Sequence, residues 1–440
     1  MKRTAFLACA AMVATLMAAG VVSAQTEDGT EGARTIGEVP HEGGQTRVGF
    51  VPGEVVVETQ DGEYETREVD ARSLSAMREA AERIEARAPA VEEAGPNYRY
   101  RLQFVPDDWY FDPKPEDGLT RAQYWLRAIR APGAWNDSLG GNVKIGVVDT
   151  GWQLDHPDLV SKVAGQRDFV GGPSDDEAEG YNYHGTSVAG VAAAETNDGE
   201  GVASVGFNAR FVMAKACTDD RQTPEIAADC KSADVAPAIE WLVQDQGVKI
   251  INLSFGGAYP NNRSPDPILG DAIREAQKAG ALVVAGAGNG GEDEKGDRID
   301  TDPATAAPAF YPACFDGVLG VGAVNTERTK ADFSNFGPCV DLVAPGVSVL
   351  TTYDKNDPYE VGGVTYRPQY TYVRGTSFAA PQVAGVAALV EAQNGDADAA
   401  QIAARLQNQA TDLGVPGRDE EFGHGLLNAR CSVSPNKVNC

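Results

Sequence analysis

Three short segments of this 440-residue chain each set one reactive side chain among small residues: Val147-Val148-Asp149-Thr150-Gly151, His184-Gly185-Thr186-Ser187-Val188-Ala189-Gly190 and Gly375-Thr376-Ser377-Phe378-Ala379-Ala380-Pro381. Hydrolysis of an amide needs a nucleophile, a base that takes its proton and a carboxylate that holds the base in one tautomer. Ser377, His184 and Asp149 are groups of those three kinds. A serine hydroxyl is inert near neutral pH without an imidazole in reach, so the chain's 4 histidines bound the search. His41 stands in a polar leader, His156 in a loop before Pro157 and His424 in a Gly-rich turn. His184 alone opens a helical pattern among small residues that let other backbone approach. Taken singly, each group has an ordinary reading: a strand-end Asp as a turn residue, a Ser as a helix cap, a His as a satisfied polar group. Their order along the chain, Asp then His then Ser, is one of the orders in which hydrolytic triads occur.

Groups so far apart in sequence need a scaffold to meet. Apolar, β-branched runs at residues 143–148, 211–214, 248–253, 281–285, 318–323 and 340–343 read as strands buried on both faces. Helical patterns lie between several of them, at 184–194, 235–246, 266–279 and 377–393. The fold class is therefore α/β, a doubly wound, mainly parallel sheet with helices on both faces, in which ligands sit at the C-terminal ends of strands. Asp149 stands at such an end. Upstream, residues 53–59 read as a strand, 73–88 as a helix with Leu74, Met77, Ala81 and Ile84 on one face, and 98–104 as a second strand. They make a small α+β unit ahead of a main body that begins near Trp109.

Asp149-Thr150-Gly151 with His156-Pro157-Asp158-Leu159, then His184-Gly185-Thr186, then Gly375-Thr376-Ser377 with Ala379-Ala380-Pro381 and Val383-Ala384-Gly385, resemble the three signature blocks of the subtilase (subtilisin-like, S8-type) serine protease family. The likeness runs from about residue 125 to about residue 429. It implies a subtilisin-like fold and an endopeptidase that cleaves polypeptides through an acyl-enzyme, with Asp149, His184 and Ser377 catalytic. Ala285-Gly286-Ala287-Gly288-Asn289 resembles the block whose asparagine amide donates to the developing oxyanion, which adds Asn289; read alone, Asn289 is a turn residue. By the same resemblance Ser254, Phe255 and Gly256 pair with substrate backbone, while Ala287 and Gly288 line the pocket for the residue before the scissile bond. Phe310 stands where a small residue often floors that pocket, and predicts a shallower one. Asp158 matches a calcium ligand of the family, and Asn197 and Asp108 are further metal candidates; an ordinary acidic surface turn is the other reading. No cofactor is implied for catalysis, only structural Ca2+. Ser187, Phe378 and Gln382 replace a common His, Met and His of the family and read as packing variants, Phe378 also removing an oxidisable side chain.

Lys plus Arg number 37 against 64 Asp plus Glu, a formal net charge of −27, which disfavours nucleic acid and anionic membranes as partners. Residues 1–24 read as an export signal, with Lys2 and Arg3, an apolar stretch over 5–22 and a Val22-Ser23-Ala24 cleavage site. The product is expected to be secreted, extracellular or periplasmic, and without membrane attachment once the signal is removed. It keeps Cys217, Cys230, Cys314, Cys339, Cys431 and Cys440, an even set that favours disulfides; neighbour pairing gives 217 with 230, 314 with 339 and 431 with 440. Residues 25–104 read as a propeptide: an aperiodic leader over 25–48, then the α+β unit, which resembles the subtilase segment that assists folding and inhibits its own enzyme. Self-cleavage between about residues 97 and 107 would leave a monomeric catalytic domain over 105–440. Two rivals stand beside this reading. A catalytically silent binding protein of the same fold would be favoured by loss of a triad member, and an acid-acting serine-carboxyl peptidase would carry Glu in place of His184.

Overall fold

The computed structural model describes residues 49–60, 62–99, 106–111, 122–172, 174, 177–218, 228–258, 266–292, 298–299, 309–361, 364–395 and 397–434. The export signal, the leader, residues 100–105 of the expected processing region and Cys440 lie outside them. The chain divides into two units, one over residues 48–100 and one over 101–440.

In the first unit, β1 (Gly49–Thr59), β2 (Tyr64–Glu68), α1 (Leu74–Arg87) and β3 (Val91–Arg99) form an antiparallel sheet of order β2-β1-β3 with one helix. Ser73 starts the helix by accepting the Ala76 N–H, and Ala81 packs with Val55, Val57 and Val91. The sequence pattern misses β2 and sets the last strand at 98–104 rather than at Val91–Arg99. Val91-Glu92-Glu93-Ala94-Gly95-Pro96 carries charge, glycine and proline, so its strand conformation comes from pairing with β1 and not from local preference.

The second unit opens with α2 (Tyr124–Ala128) and α3 (Ala131–Trp135). β4 (Lys144–Asp149), α4 (Pro157–Val160), β5 (Val163–Asp168), α5 (Tyr183–Ala193) and β6 (Arg210–Lys215) follow. Next come α6 (Ser232–Gln244), β7 (Ile250–Leu253), β8 (Gly257–Ala258), α7 (Pro267–Lys278) and β9 (Leu282–Gly286). After β10 (Gly291–Glu292), β11 (Arg298–Ile299) and β12 (Phe310–Tyr311), the chain forms β13 (Val318–Val324), β14 (Leu342–Pro345) and β15 (Val349–Thr352). It closes with β16 (Tyr359–Val361), β17 (Val364–Tyr366), β18 (Tyr370–Val373), α8 (Ala380–Asn394), α9 (Ala399–Asn408) and α10 (Ala429–Val433). Seven strands make one sheet in the order β14-β13-β9-β7-β4-β6-β5, and every pairing in it is parallel. Strands after β4 are laid first on one side (β5, β6) and then on the other (β7, β9, β13, β14). β4 therefore marks the reversal of strand order, and the crevice beyond its C-terminal end is where such sheets receive ligands.

Side chains alternate along each strand, so each strand feeds two apolar layers. Ile145 and Val147 of β4 join α5 and α8, whereas Val148 joins Ile239 and Leu242 of α6 and Ile273 of α7. α8 is buried from Ala380 through Glu391, which explains its lack of a polar face. Disulfides link Cys217 to Cys230 and Cys314 to Cys339, the two neighbour pairs that fall within the described residues. Among the described residues no helix is long and apolar enough to cross a membrane. Ile239 is 0% exposed between the sheet and α6. Ile239→Ala is expected to cost about 2–5 kcal/mol, read as a lower midpoint of denaturant unfolding at unchanged slope.

Candidate active site

Asp149 ends β4 at 2% exposure, deep enough that its carboxylate must replace water with protein donors. Its Oδ1 accepts the Thr150 N–H at 2.8 Å and the Thr150 hydroxyl at 3.3 Å, and lies 2.8 Å from His184 Nδ1. A carboxylate can only accept, so Nδ1 carries the proton and Nε2 of the neutral ring is left as the basic nitrogen. Burial of the imidazole opposes its charged form, but the charge of Asp149 and the hydrogen bond to it outweigh burial and hold its pKa above the ordinary 6.5.

The helix that carries His184 is fixed by close backbone approach. Asn182 caps α5 by accepting the His184 N–H at 2.9 Å, and the Gly185 N–H donates to the Thr150 hydroxyl at 3.1 Å. A Cβ on Gly185 would stand 2.0 Å from the Gly151 carbonyl oxygen, so only glycine lets α5 reach the end of β4. Ser187 and Gln382, two of the departures from the family pattern, are buried packing groups. The Ser187 hydroxyl donates to Thr352 O at 2.6 Å, and Gln382 Nε2 donates to Pro345 O at 2.6 Å and Phe378 O at 2.8 Å. Phe378, the third, is 1% exposed, with its ring 5.5 Å from that of His184.

Ser377 stands in a single 3-10 turn, Thr376–Phe378, just ahead of α8. Its hydroxyl donates to Ser254 O at 3.0 Å, the Ser254 hydroxyl donates back to Ser377 O at 2.8 Å, and Asn252 Nδ2 donates to the Ser254 hydroxyl at 2.8 Å. On the other side, Asn289 Oδ1 accepts the Thr376 N–H at 2.8 Å and the Thr376 hydroxyl at 3.0 Å. Because the backbone N–H can only donate, the acceptor end of the Asn289 amide is fixed. Its Nδ2 is turned toward the Gly375 turn, 3.3 Å from where a Cβ on that residue would lie. Gly288 is tied to the same turn by its N–H, which reaches the Thr376 hydroxyl at 3.2 Å. Asn252 and Thr376 were not singled out by the sequence: one sits unremarkably in a strand, the other beside Ser377 where only the tertiary bond to Asn289 gives it a role.

The metal candidates lie in one region of the second unit. Asp108, 2% exposed, accepts the Asn197 N–H at 3.1 Å on Oδ1 and at 3.0 Å on Oδ2. Asp158, 0% exposed, accepts the Val202 N–H at 2.9 Å and the Tyr370 hydroxyl at 2.8 Å. Burial pushes the two carboxyls up, Asp108 to about 7 and Asp158 to about 6. Two buried carboxylates partnered by neutral donors suit a hard cation completed by carbonyl oxygens. Among the described residues, however, no three His, Cys, Asp or Glu groups converge in metal-binding fashion.

The family model described as "Subtilase family" matches residues 140–425. A thermophilic serine proteinase of Bacillus sp. (strain AK1) is 31% identical, the match covering 94% of this chain and 95% of the relative. Thermitase of Thermoactinomyces vulgaris is 34% identical over 75% of this chain and 99% of its own length. Among solved structures, a protease from Pseudoalteromonas arctica superposes with a TM-score of 0.58 at 27% identity, covering 76% of this chain and 99% of that one.

The pairing of His184 with Asp149 yields a direct expectation. In an NMR titration the His184 ring should titrate above 6.5, and Asp149→Asn should bring it down, because charge and hydrogen bond both raise it while burial lowers it.

Proposed function

The chain belongs to the subtilase family and is a serine protease acting on polypeptides, and from that premise we propose that Asp149, His184 and Ser377 are its catalytic triad and Asn289 its side-chain oxyanion donor. The observation that carries the assignment is the 2.8 Å contact between His184 Nδ1 and Asp149 Oδ1. In the reaction, Ser377 Oγ gives up its hydrogen bond to Ser254 O, His184 Nε2 takes its proton, and Oγ attacks the scissile carbonyl. The resulting oxyanion is held by Asn289 Nδ2 and the Ser377 N–H, which act most strongly on charge present only in the transition state. His184 then protonates the leaving amine, and the acyl-enzyme is released by water activated at the same nitrogen. Asp149 keeps the ring in the tautomer that every step uses.

Around this centre we place Ser254, Phe255 and Gly256 on one side of the substrate backbone and Ala287 and Gly288 on the other. Residues 1–24 direct secretion, and residues 25–104 are a propeptide that the enzyme removes by cutting between about residues 97 and 107. Asp108 and Asp158, with backbone oxygens of the segment around Asn197, are the groups that would hold a structural Ca2+. Such an ion would offset the charge of two buried carboxylates and stiffen the segment around Asn197.

Purified protein is expected to hydrolyse casein and to run as a shortened chain, and Ser377→Ala to do neither. Asn289→Ala should lower kcat on the order of 10²–10³-fold with KM little changed, as removal of one oxyanion donor does. Equal casein hydrolysis by wild type and Ser377→Ala would remove Ser377 as nucleophile. Chelation of Ca2+ is expected to lower the Tm of wild type by several degrees and to have less effect on Asp158→Asn, as scanning calorimetry with and without added Ca2+ would read.

A further inference from the structure

Resting on the peptidase reading above, we propose that the pocket for the side chain before the scissile bond is filled by the ring of Phe310, so that this enzyme cleaves after small residues, alanine above all, in preference to aromatic and large aliphatic ones. The two walls of that pocket are the backbone at Gly256 and at Gly288. Both walls begin at the nucleophile turn, one through Ser254 bonded to Ser377 and the other through the Gly288 N–H bonded to Thr376. A Cβ on Gly256 would stand 2.4 Å from Phe310 Cε1 and 3.1 Å from Cδ1. A Cβ on Gly288 would stand 2.7 Å from Phe310 Cδ2 and 2.8 Å from Cε2. Opposite edges of one ring therefore lie against opposite walls, and the ring takes up the width of the slot.

Neither wall is placed to move aside. Phe310 sits in β12, which pairs antiparallel with β8 in the segment that continues from Gly256, Phe310 opposite Ala258 and Tyr311 opposite Gly257. Its carbonyl accepts the Cys314 N–H at 3.0 Å, and Cys314 is tied to Cys339 by a disulfide. Asn335 holds the other wall three times over: its Nδ2 donates to Ala287 O at 2.9 Å, its N–H to Gly288 O at 3.0 Å, and its Oδ1 accepts the Gly290 N–H at 2.9 Å. A methyl group adds little volume between such walls, whereas a second aromatic ring competes for space that Phe310 already fills.

The test uses tetrapeptide p-nitroanilides that differ only in the residue before the anilide, Ala, Leu or Phe, with wild type, Phe310→Gly and Ser377→Ala. Wild type is expected to show kcat/KM for Ala higher than for Phe by on the order of 10-fold or more, and Phe310→Gly to abolish or invert that order chiefly by gaining on Phe. A wild type that cleaves after Phe as well as or better than after Ala overturns the proposal, as does a Phe310→Gly enzyme with an unchanged ratio. Should that variant not accumulate, the bonds cut by wild type in denatured casein decide: cuts mainly after Ala, Gly and Ser support the filled pocket, and cuts mainly after Phe, Tyr and Leu refute it. Activity that survives in Ser377→Ala, or inactivity of wild type toward every substrate, overturns the reading of the site itself and the proposal with it.

Discussion

A carboxylate buried at the end of a central strand is the constraint around which the second unit is arranged. Stripping water from Asp149 costs several kcal/mol unless donors replace it, and the donors it has come from Thr150 and His184. One is local and follows from the turn after β4. The other requires a whole helix, α5, to dock with its N-terminus at the end of that strand. That requirement explains why Gly151 and Gly185 meet backbone to backbone, why Asn182 caps the helix, and why residues 185–193 are buried on every side. Removing the imidazole would leave a buried charge short of a partner, so the contact between His184 and Asp149 also holds the fold together at this point.

Beyond the carboxylate, the site is built from neutral polar side chains with one or two fixed partners each. Asn252 holds Ser254, Ser254 and Ser377 exchange hydrogen bonds, and Thr376 fixes which end of the Asn289 amide accepts. Each link is worth about 1 kcal/mol in stability, and leaving the buried ones, Asn252, Ser254 and Thr376, unpaired costs more. The chain of links therefore acts mainly by restriction: it leaves the Ser377 hydroxyl and the Asn289 amide few orientations, which is the form in which fixed dipoles help a transition state. The hydroxyl of Ser377 rests on a carbonyl, an acceptor that cannot take its proton, so the arrangement positions the hydroxyl without taking up its proton.

The two units differ in how their contacts are distributed along the chain. In the first, β1 pairs with β2 six to fourteen positions away, as in Val55 with Arg67, and its apolar core is a few side chains. In the second, β4 pairs with β7 across roughly a hundred residues, as in Ile145 with Ile250, and no parallel pair can form before its crossover is in place. Loop closure must precede the contacts that reward it, so the sheet that carries Asp149 is the slower of the two to assemble. A small antiparallel unit preceding such a sheet in the chain is well suited to be structured first.

What the sequence disclosed and what it withheld follow the same physics. β7, β9 and β13 read directly because strands covered on both faces hold almost wholly apolar residues, Asn252 of β7 being the polar exception, and the blocks at Asp149, His184 and Ser377 read because backbone approach demands glycine beside the reactive group. β5 and β3, with charged or turn-forming residues, are strands only because of the partner they lie against, and local pattern carries no trace of that partner. The same division runs through the site. Asp149, His184, Ser377 and Asn289 stand in short blocks with their own local signature. The bond from Thr376 to Asn289 joins residues 87 positions apart, that from Asn335 to Ala287 joins residues 48 apart, and no spacing in the chain announces either. Phe310 lies between these cases: its place in the chain is legible beside Tyr311-Pro312, but that its ring lies against both Gly256 and Gly288 depends on two segments brought to either side of it. Local sequence thus marks the blocks that hold Asp149, His184, Ser377 and Asn289, while the bonds that fix their neighbours are written in contacts between segments far apart in the chain.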